Sequence, residues 1–333
     1  MNGIGHCVEE GFSGVVSVAT GSKVLFRKAY GYADMANQVP NEPDTRFATA
    51  SAGKIFVATA IMQLVERGEL SLDDTIGGIL DFELGEIDPG ITVRQLLNHT
   101  SGIPDYFDET VMDDYAELWH DFPNYRIRSS RDLLPLFVRK PMMYPAGSKF
   151  QYNNTGYVVL GIVLEIKKGL PFDAYLKSVL FDTVGMGSTG YYELDRLPAK
   201  CASAYILDEE TEEYYTNIFS VDAKGSGAGG AFTTAGDLEA LWRSLAAGKL
   251  VSGRTLESML SVQAEDDEDR YGYGVWFKSR RDRLVPYIQG CDPGICCVSS
   301  FDRTTDTTVT ILSNKGDDVW SMEKRITEEL ERT

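Results

Sequence analysis

Residues Thr45–Asp74 read TRFATASAGKIFVATAIMQLVERGELSLDD, and the rest of the chain is organised around them. A strand-like TRFATA runs into a helical pattern that opens at Ser51. Ile55, Ala58, Ile61, Met62 and Val65 recur at helical spacing, while Phe56, Ala60 and Leu64 fill much of the remaining circumference. A helix apolar on nearly every side is a buried helix. Arg67 suits its last turn and Gly68 the position that stops it. Ser51 then sits on the first turn with Lys54 three residues on, on the same face. A buried ammonium needs a partner or a lowered pKa. A nearby amine or phenolate that takes the hydroxyl proton makes a serine nucleophilic without histidine. The helix start adds free backbone N–H groups where an oxyanion would form.

S-x-x-K alone is a weak pattern. A second copy, Ser321 to Lys324, lies in a polar helical tail and reads as a solvated face. The first copy gains weight only from partners supplied elsewhere in the chain.

The chain has 333 residues, 43% hydrophobic and 25% charged, as expected of a globular protein of one large or two modest domains. Its formal net charge of −18 argues against a nucleic-acid partner and against anionic membrane surfaces. No stretch of eighteen apolar residues predicts a membrane span. The first residues, MNGIGHCVEEGFSG, lack a basic start and an apolar core. The expectation is a cytoplasmic protein, or an extracytoplasmic one if an export signal precedes this sequence. Cys7, Cys201, Cys291, Cys296 and Cys297 fit no zinc spacing and read as buried reduced thiols; the adjacent pair would face opposite sides of a strand. His6, His99 and His120 are scattered, so neither a metal nor a cofactor is expected.

Along the chain, 12–20 and 23–34 alternate around Gly21-Ser22 as a β-hairpin. Thr92 caps a short helix through Leu97, and 106–140 look helical but irregular. Further helices are expected over 157–166, with Gly169 behind, and over 171–181 and 236–247. The last hundred residues turn strand-like: YGYGVWF, RLVPYIQG, ICCVSSFD and TTVTILSN, closed by the amphipathic WSMEKRITEELER. Strands at both ends and helices between predict an α+β fold, one antiparallel sheet built from both termini, flanked by helices, with a mostly helical insertion. The expected division is a discontinuous sheet domain, 1–50 and 225–333, and a helical domain, 51–224, with the active site at their interface.

Three further stretches bear on chemistry. Tyr152-Asn153-Asn154 precedes a buried helix; beside Ser51 and Lys54 it would bring a phenol for proton relay and an amide to orient Lys54 or a substrate. Gly225 to Gly230 matches G-x-G-x-x-G, but with no strand before it and no acidic residue at the right distance it reads as a flexible turn. In Gln289-Gly290-Cys291, Gly290 permits close approach to the backbone. The Cys291 N–H there could serve as a second oxyanion donor, since a backbone donor is indifferent to its side chain.

Together these stretches resemble the serine β-lactamase and penicillin-binding-protein superfamily, nearest to its class C β-lactamase, DD-peptidase and serine esterase branch. The likeness spans nearly the whole chain, from FSGVVSVATGSKVLFRKAYGYAD through Ser51–Lys54, VRQLLNHTSGIPDY, Tyr152–Asn154 and AGGAFTTAGDLEALW to YGYGVWF. It implies that Ser51 becomes acylated, Lys54 takes or relays its proton, Tyr152 acts as partner base and later acid, and Asn154 orients Lys54 and the substrate. It implies Gln289, Gly290 and Cys291 at the substrate edge, with the Ser51 and Cys291 N–H groups as oxyanion hole. The implied activity is cleavage of an amide or ester in a small-molecule or peptide substrate; the other reading is a penicillin- or peptidoglycan-fragment-binding or sensor protein with weak or no turnover.

One departure stands out. The family's third motif begins with Lys or His, and here the aligned triplet is Ile288-Gln289-Gly290. The cation that helps hold a substrate carboxylate is missing, at a cost of roughly two to three factors of ten in binding. Efficient β-lactam hydrolysis is therefore not expected, unless Arg281 or Arg283 substitutes.

Overall fold

The structure, a computed structural model, describes residues 3–112 and 114–332. Its centre is an eight-stranded antiparallel sheet. The strands are β1 (Gly14–Thr20), β2 (Lys23–Tyr30), β3 (Ala264–Glu265), β4 (Arg270–Tyr271), β5 (Trp276–Arg280), β6 (Arg283–Asp292), β7 (Ile295–Asp302) and β8 (Thr307–Ser313). Their order, β2-β1-β8-β7-β6-β5-β4-β3, places the N-terminal hairpin directly beside the last strand. Both ends of the chain therefore build one sheet, as the sequence predicts.

Helix α1 (Lys54–Glu66), α2 (Asn154–Lys168) and α3 (Ala235–Ala246) contribute to the main core on one face of this sheet. Helix α4 (Val319–Arg332) covers the other face, where Val319, Met322 and Ile326 meet Val16, Val18, Val298 and Ile311. In α1 every residue from Lys54 to Leu64 is buried, which is what its all-round apolar sequence requires. Asn153 caps α2 by accepting the Gly156 N–H at 2.8 Å, and Gly169 ends it in the left-handed region. Thr92 and Gln95 form the capping box of the short helix Val93–Leu97.

Two regions depart from the sequence pattern. Among the described residues of 106–140 there are separate 3₁₀ turns and one short α turn, Leu118–Asp121, rather than a continuous helix, with Pro123 and Pro135 removing donors along it. The 171–181 helix runs as α only over Phe172–Leu176 and then widens to a π turn. The thiols also differ from expectation. Cys291 and Cys296 face each other in register across β6 and β7 and are joined as a disulfide. Cys7 and Cys201 are half-buried, and Cys297 alone is a fully buried free thiol. Pairing reached across a sheet leaves no spacing signature in sequence. Among the described residues no helix is long and apolar enough to cross a membrane.

Trp242 on α3 is fully buried, donates from its indole to Ser299 Oγ at 3.0 Å and stacks on Phe301. Trp242→Ala should cost about 3–5 kcal/mol through the cavity it leaves, read as a lowered urea midpoint.

Candidate active site

The approach to Ser51 is shaped by backbone. Phe47–Ala48 pairs antiparallel with Phe232–Thr233, and the Thr49 N–H donates to Ala231 O at 2.8 Å. Ala50 then takes a left-handed φ of 45°, an uncommon position for a non-glycine residue. A 3₁₀ turn over Ala50–Gly53 follows, and α1 proper begins at Lys54. Ser51 thus stands on a tight turn before the helix rather than in its first α turn. The adjacent glycines are closely fitted. A Cβ on Gly229 would lie 2.4 Å from Ala50 O, and one on Gly290 would lie 2.5 Å from Ser51 N. The Gly225–Gly230 run is therefore a packed wall of the site, not the loose turn its sequence suggests.

Lys54 lies beneath Ser51, 2% exposed. Its ammonium donates to Ser51 Oγ at 2.9 Å, to Asn154 Oδ1 at 2.8 Å and to Ala228 O at 2.6 Å. Three donors meet three acceptors from three separate segments. Burial nevertheless pulls the Lys54 pKa from 10.5 down to about 8, opposed by Glu109, Asp105 and Asp292. Asn154 is held in turn, its amide donating to Phe107 O at 3.3 Å and to Glu109 Oε1 at 3.1 Å. Asp105 accepts the Asn154 and Thr155 N–H groups at 2.7 and 3.0 Å and so fixes the start of α2. Burial raises the Asp105 carboxyl to about 6 despite these bonds.

Tyr152 reaches the same place from the loop before α2, with Ser51 as the hydrogen-bonding neighbour of its hydroxyl. Lys54 Nζ lies 4.8 Å from its ring centre. Its ring stacks on Trp276 at 5.4 Å and leans on His99 at 4.5 Å. Burial drives the phenol well above its ordinary pKa of 10, so it is protonated at neutral pH. His99 is fully buried, accepts the Asn153 N–H at Nδ1 and is held well below 6.5 by burial and by Lys54. A neutral His99 adds no charge to the site.

Strand β6 passes over the Ser51 turn. Its alternation puts Ile288, Gly290 and Asp292 on the face toward α1, and Gln289 and Cys291 on the face toward α4. Ile288 is buried in the main core. The Gln289 side chain accepts from the Trp320 indole on α4 at 2.5 Å and does not line the cavity. Arg283 pairs with Asp302 at 2.6 Å and Arg281 with Glu331 at 3.2 Å, both at the opposite end of β6. Neither replaces the missing cation. Beside Ser51 opens a cavity of about 670 Å³ whose lining includes Asn154, Cys291 and Asp292. The structure therefore gathers Ser51, Lys54, Tyr152, Asn154, Gly290 and Cys291, and leaves the Gln289 side chain outside. It adds Ala228, Asp105, Glu109, Asp222 and Asp292, to which the sequence assigned no role; Asp105 lies inside the quoted GIPDY stretch.

The comparisons with known proteins bear on the family and the fold. The Beta-lactamase family matches residues 4–332. Penicillin-binding protein 4* of Bacillus subtilis (strain 168) is 27% identical over 325 residues, covering 92% of this chain and 69% of that protein. Esterase EstB of Burkholderia gladioli is 32% identical over 196 residues, 57% of this chain and 49% of the esterase. The crystal structure of a penicillin-binding protein from Bacillus halodurans superposes with a TM-score of 0.91 at 38% identity, covering 99% of both chains. D-amino acid amidase from Ochrobactrum anthropi SV3 shares the fold at 22% identity, with a TM-score of 0.81 over 99% of each chain. With a match over nearly its whole length and a serine–lysine pair at the centre of the fold, this chain belongs to the Beta-lactamase family.

Proposed function

We propose that the protein is a serine hydrolase that cleaves an amide or ester through an acyl-enzyme on Ser51. The observation that carries this reading is the 2.9 Å contact between Lys54 Nζ and Ser51 Oγ, with the amine buried and its pKa lowered to about 8. Lys54 in its neutral form takes the Ser51 proton as Oγ bonds to the substrate carbonyl. The Ser51 and Cys291 N–H groups receive the oxyanion. The raised pKa of Tyr152 suits a donor: it passes a proton to the departing nitrogen or oxygen as the carbonyl–leaving-group bond breaks, and is reprotonated from Lys54. Water then attacks the acyl carbonyl and gives its proton to the same relay, which passes it to Ser51 Oγ as the carbonyl–Oγ bond breaks and the acid leaves. Asn154 orients Lys54 throughout. With Ile288 in the third motif, esters and amides without a carboxylate are favoured over penicillins.

A panel of nitrocefin, a fluorescent penicillin and p-nitrophenyl esters tests this, with peptide mass spectrometry to locate the adduct. Ser51→Ala should abolish acylation, and Lys54→Met should slow it by roughly 10²–10⁴. An adduct on any other residue, or none from any member, would remove the reading.

The pH dependence has a defined sign. The neutral base fraction rises as pH passes the Lys54 pKa, so the acylation rate should climb through about pH 8 and level off above it. Asp105 holds that pKa up. Asp105→Asn should therefore move the rise to lower pH, a shift also visible in the NMR titration of Lys54 in labelled protein.

A further inference from the structure

Nothing that lines the cavity beside Ser51 is a lysine or an arginine, among the described residues. Four acidic residues do line it: Glu109, Asp114, Asp222 and Asp292. Three of them have partners. Glu109 accepts from Asn154, Asp222 accepts from the Tyr115 hydroxyl at 3.0 Å, and Asp114 caps a 3₁₀ turn. The Asp292 side chain has no hydrogen bond or ion pair among the described residues, although it is enclosed by protein on the side away from the cavity and feels the Lys54 charge at longer range. It lies two residues beyond Gly290 on the same face of β6, and Gly290 sits against the Ser51 backbone. Two residues of strand span about 7 Å. An unpaired carboxyl group thus lies on the wall of the cavity that opens beside the nucleophile, two strand residues from the glycine that packs on it.

Resting on the hydrolase reading above, we propose that the site takes substrates bearing an ammonium group near the scissile carbonyl, with Asp292 as its counter-ion and Asp222 and Glu109 supporting the field. Burial pushes the Asp292 carboxyl up to about 8 and the Asp222 carboxyl to about 7; Asp222 and Glu109 add to the rise at Asp292, and the Lys54 ammonium opposes it only in part. An empty cavity therefore holds carboxyls that resist ionising next to one another. An incoming cation relieves that repulsion and lets Asp292 ionise against it. A carboxylate-bearing substrate meets the same field with the wrong sign, and Ile288 offers it no compensating charge. Phe107, Met112, Leu194, Ile218 and Val221 are among the other lining residues, so the cavity also offers apolar surface to a hydrophobic body attached to the ammonium. The substrate class is an amide or ester of a hydrophobic acid that carries a free amine.

The test compares matched compounds that differ in one charge. Phenylalanine p-nitroanilide, its N-acetyl and its N-succinyl derivatives, in both hand forms, present a cation, a neutral group and an anion at one position. In the wild type the free amine should exceed the acetylated compound in kcat/KM by on the order of tenfold or more, and the succinylated one should be worst. Asp292→Asn keeps the shape and breaks no hydrogen bond, and should reduce the amine-to-acetyl ratio by a similar factor; Asp222→Asn provides the same readout from a second position. Binding of phenylalanine amide, N-acetylphenylalanine amide and benzylamine to Ser51→Ala, measured by calorimetry, gives the preference without turnover. Equal or weaker binding of every amine relative to its neutral counterpart, or ratios unmoved in both aspartate variants, overturns the inference. Hydrolysis of neutral p-nitrophenyl esters through Ser51 would leave the hydrolase reading standing in that case, whereas the absence of any Ser51 adduct strikes the hydrolase reading itself.

Discussion

The buried ammonium of Lys54 is the constraint that the rest of the molecule serves. Enclosing such a charge without partners is prohibitive. Its three protons are met by a side chain one turn back, an amide a hundred residues on and a carbonyl beyond residue 220. Each acceptor has to be held in place by something else. Asp105 anchors the start of α2 and so the Asn154 amide. The glycines at 227 and 229 let the Ala228 carbonyl come down between Tyr157 and Ala50, because a Cβ at either would overlap backbone oxygen. The β-strand pair before Ser51 sets the turn that aims its hydroxyl. A change in any of these reaches the amine without touching it.

Full enclosure also explains why the ammonium gives up its proton more readily than a lysine in water. Three acceptors alone would hold the proton firmly; removal from water loosens it, and the nearby carboxylates of Glu109, Asp105 and Asp292 limit how far. The result lies near the range in which a base can both accept and return a proton. Tyr152, enclosed but uncharged and walled by Trp276 and His99, is pushed the opposite way. Two titratable groups around one hydroxyl thus have their affinities for the proton separated by the same desolvation, acting on a cation in one and on an anion in the other.

What could be read in the sequence was what local pattern dictates. The all-round apolar run gave α1, Gly169 closed α2, and the alternation after residue 270 marked the sheet that the N-terminal hairpin completes. Ser51, Lys54, Tyr152 and Asn154 were visible because side chains at fixed spacing carry their own signature. Ala228 was not, since its contribution is a backbone carbonyl, which any residue supplies. Asp222 and Asp292 were not, because they converge from segments seventy residues apart and neither belongs to a motif. The Cys291–Cys296 bond depends on sheet register, and the face that Gln289 presents depends on the phase of β6.

That phase links the missing cation to the unpaired acid. Ile288, Gly290 and Asp292 occupy successive inward positions of one strand, so the strand that covers Ser51 presents an aliphatic side chain, a bare backbone and a carboxylate in turn. A cation at 288 would lie on the same inward face as Lys54 and would further lower its affinity for a proton. With Ile288 there instead, no such repulsion is added, and Glu109, Asp105 and, to the extent that it ionises, Asp292 keep the Lys54 pKa from falling further. The carboxylates that tune the amine are among those that set the sign of the cavity. Charge preference for the substrate and basicity of Lys54 are for that reason one electrostatic property of the site, and neither can be altered at Asp292 or Glu109 without moving the other.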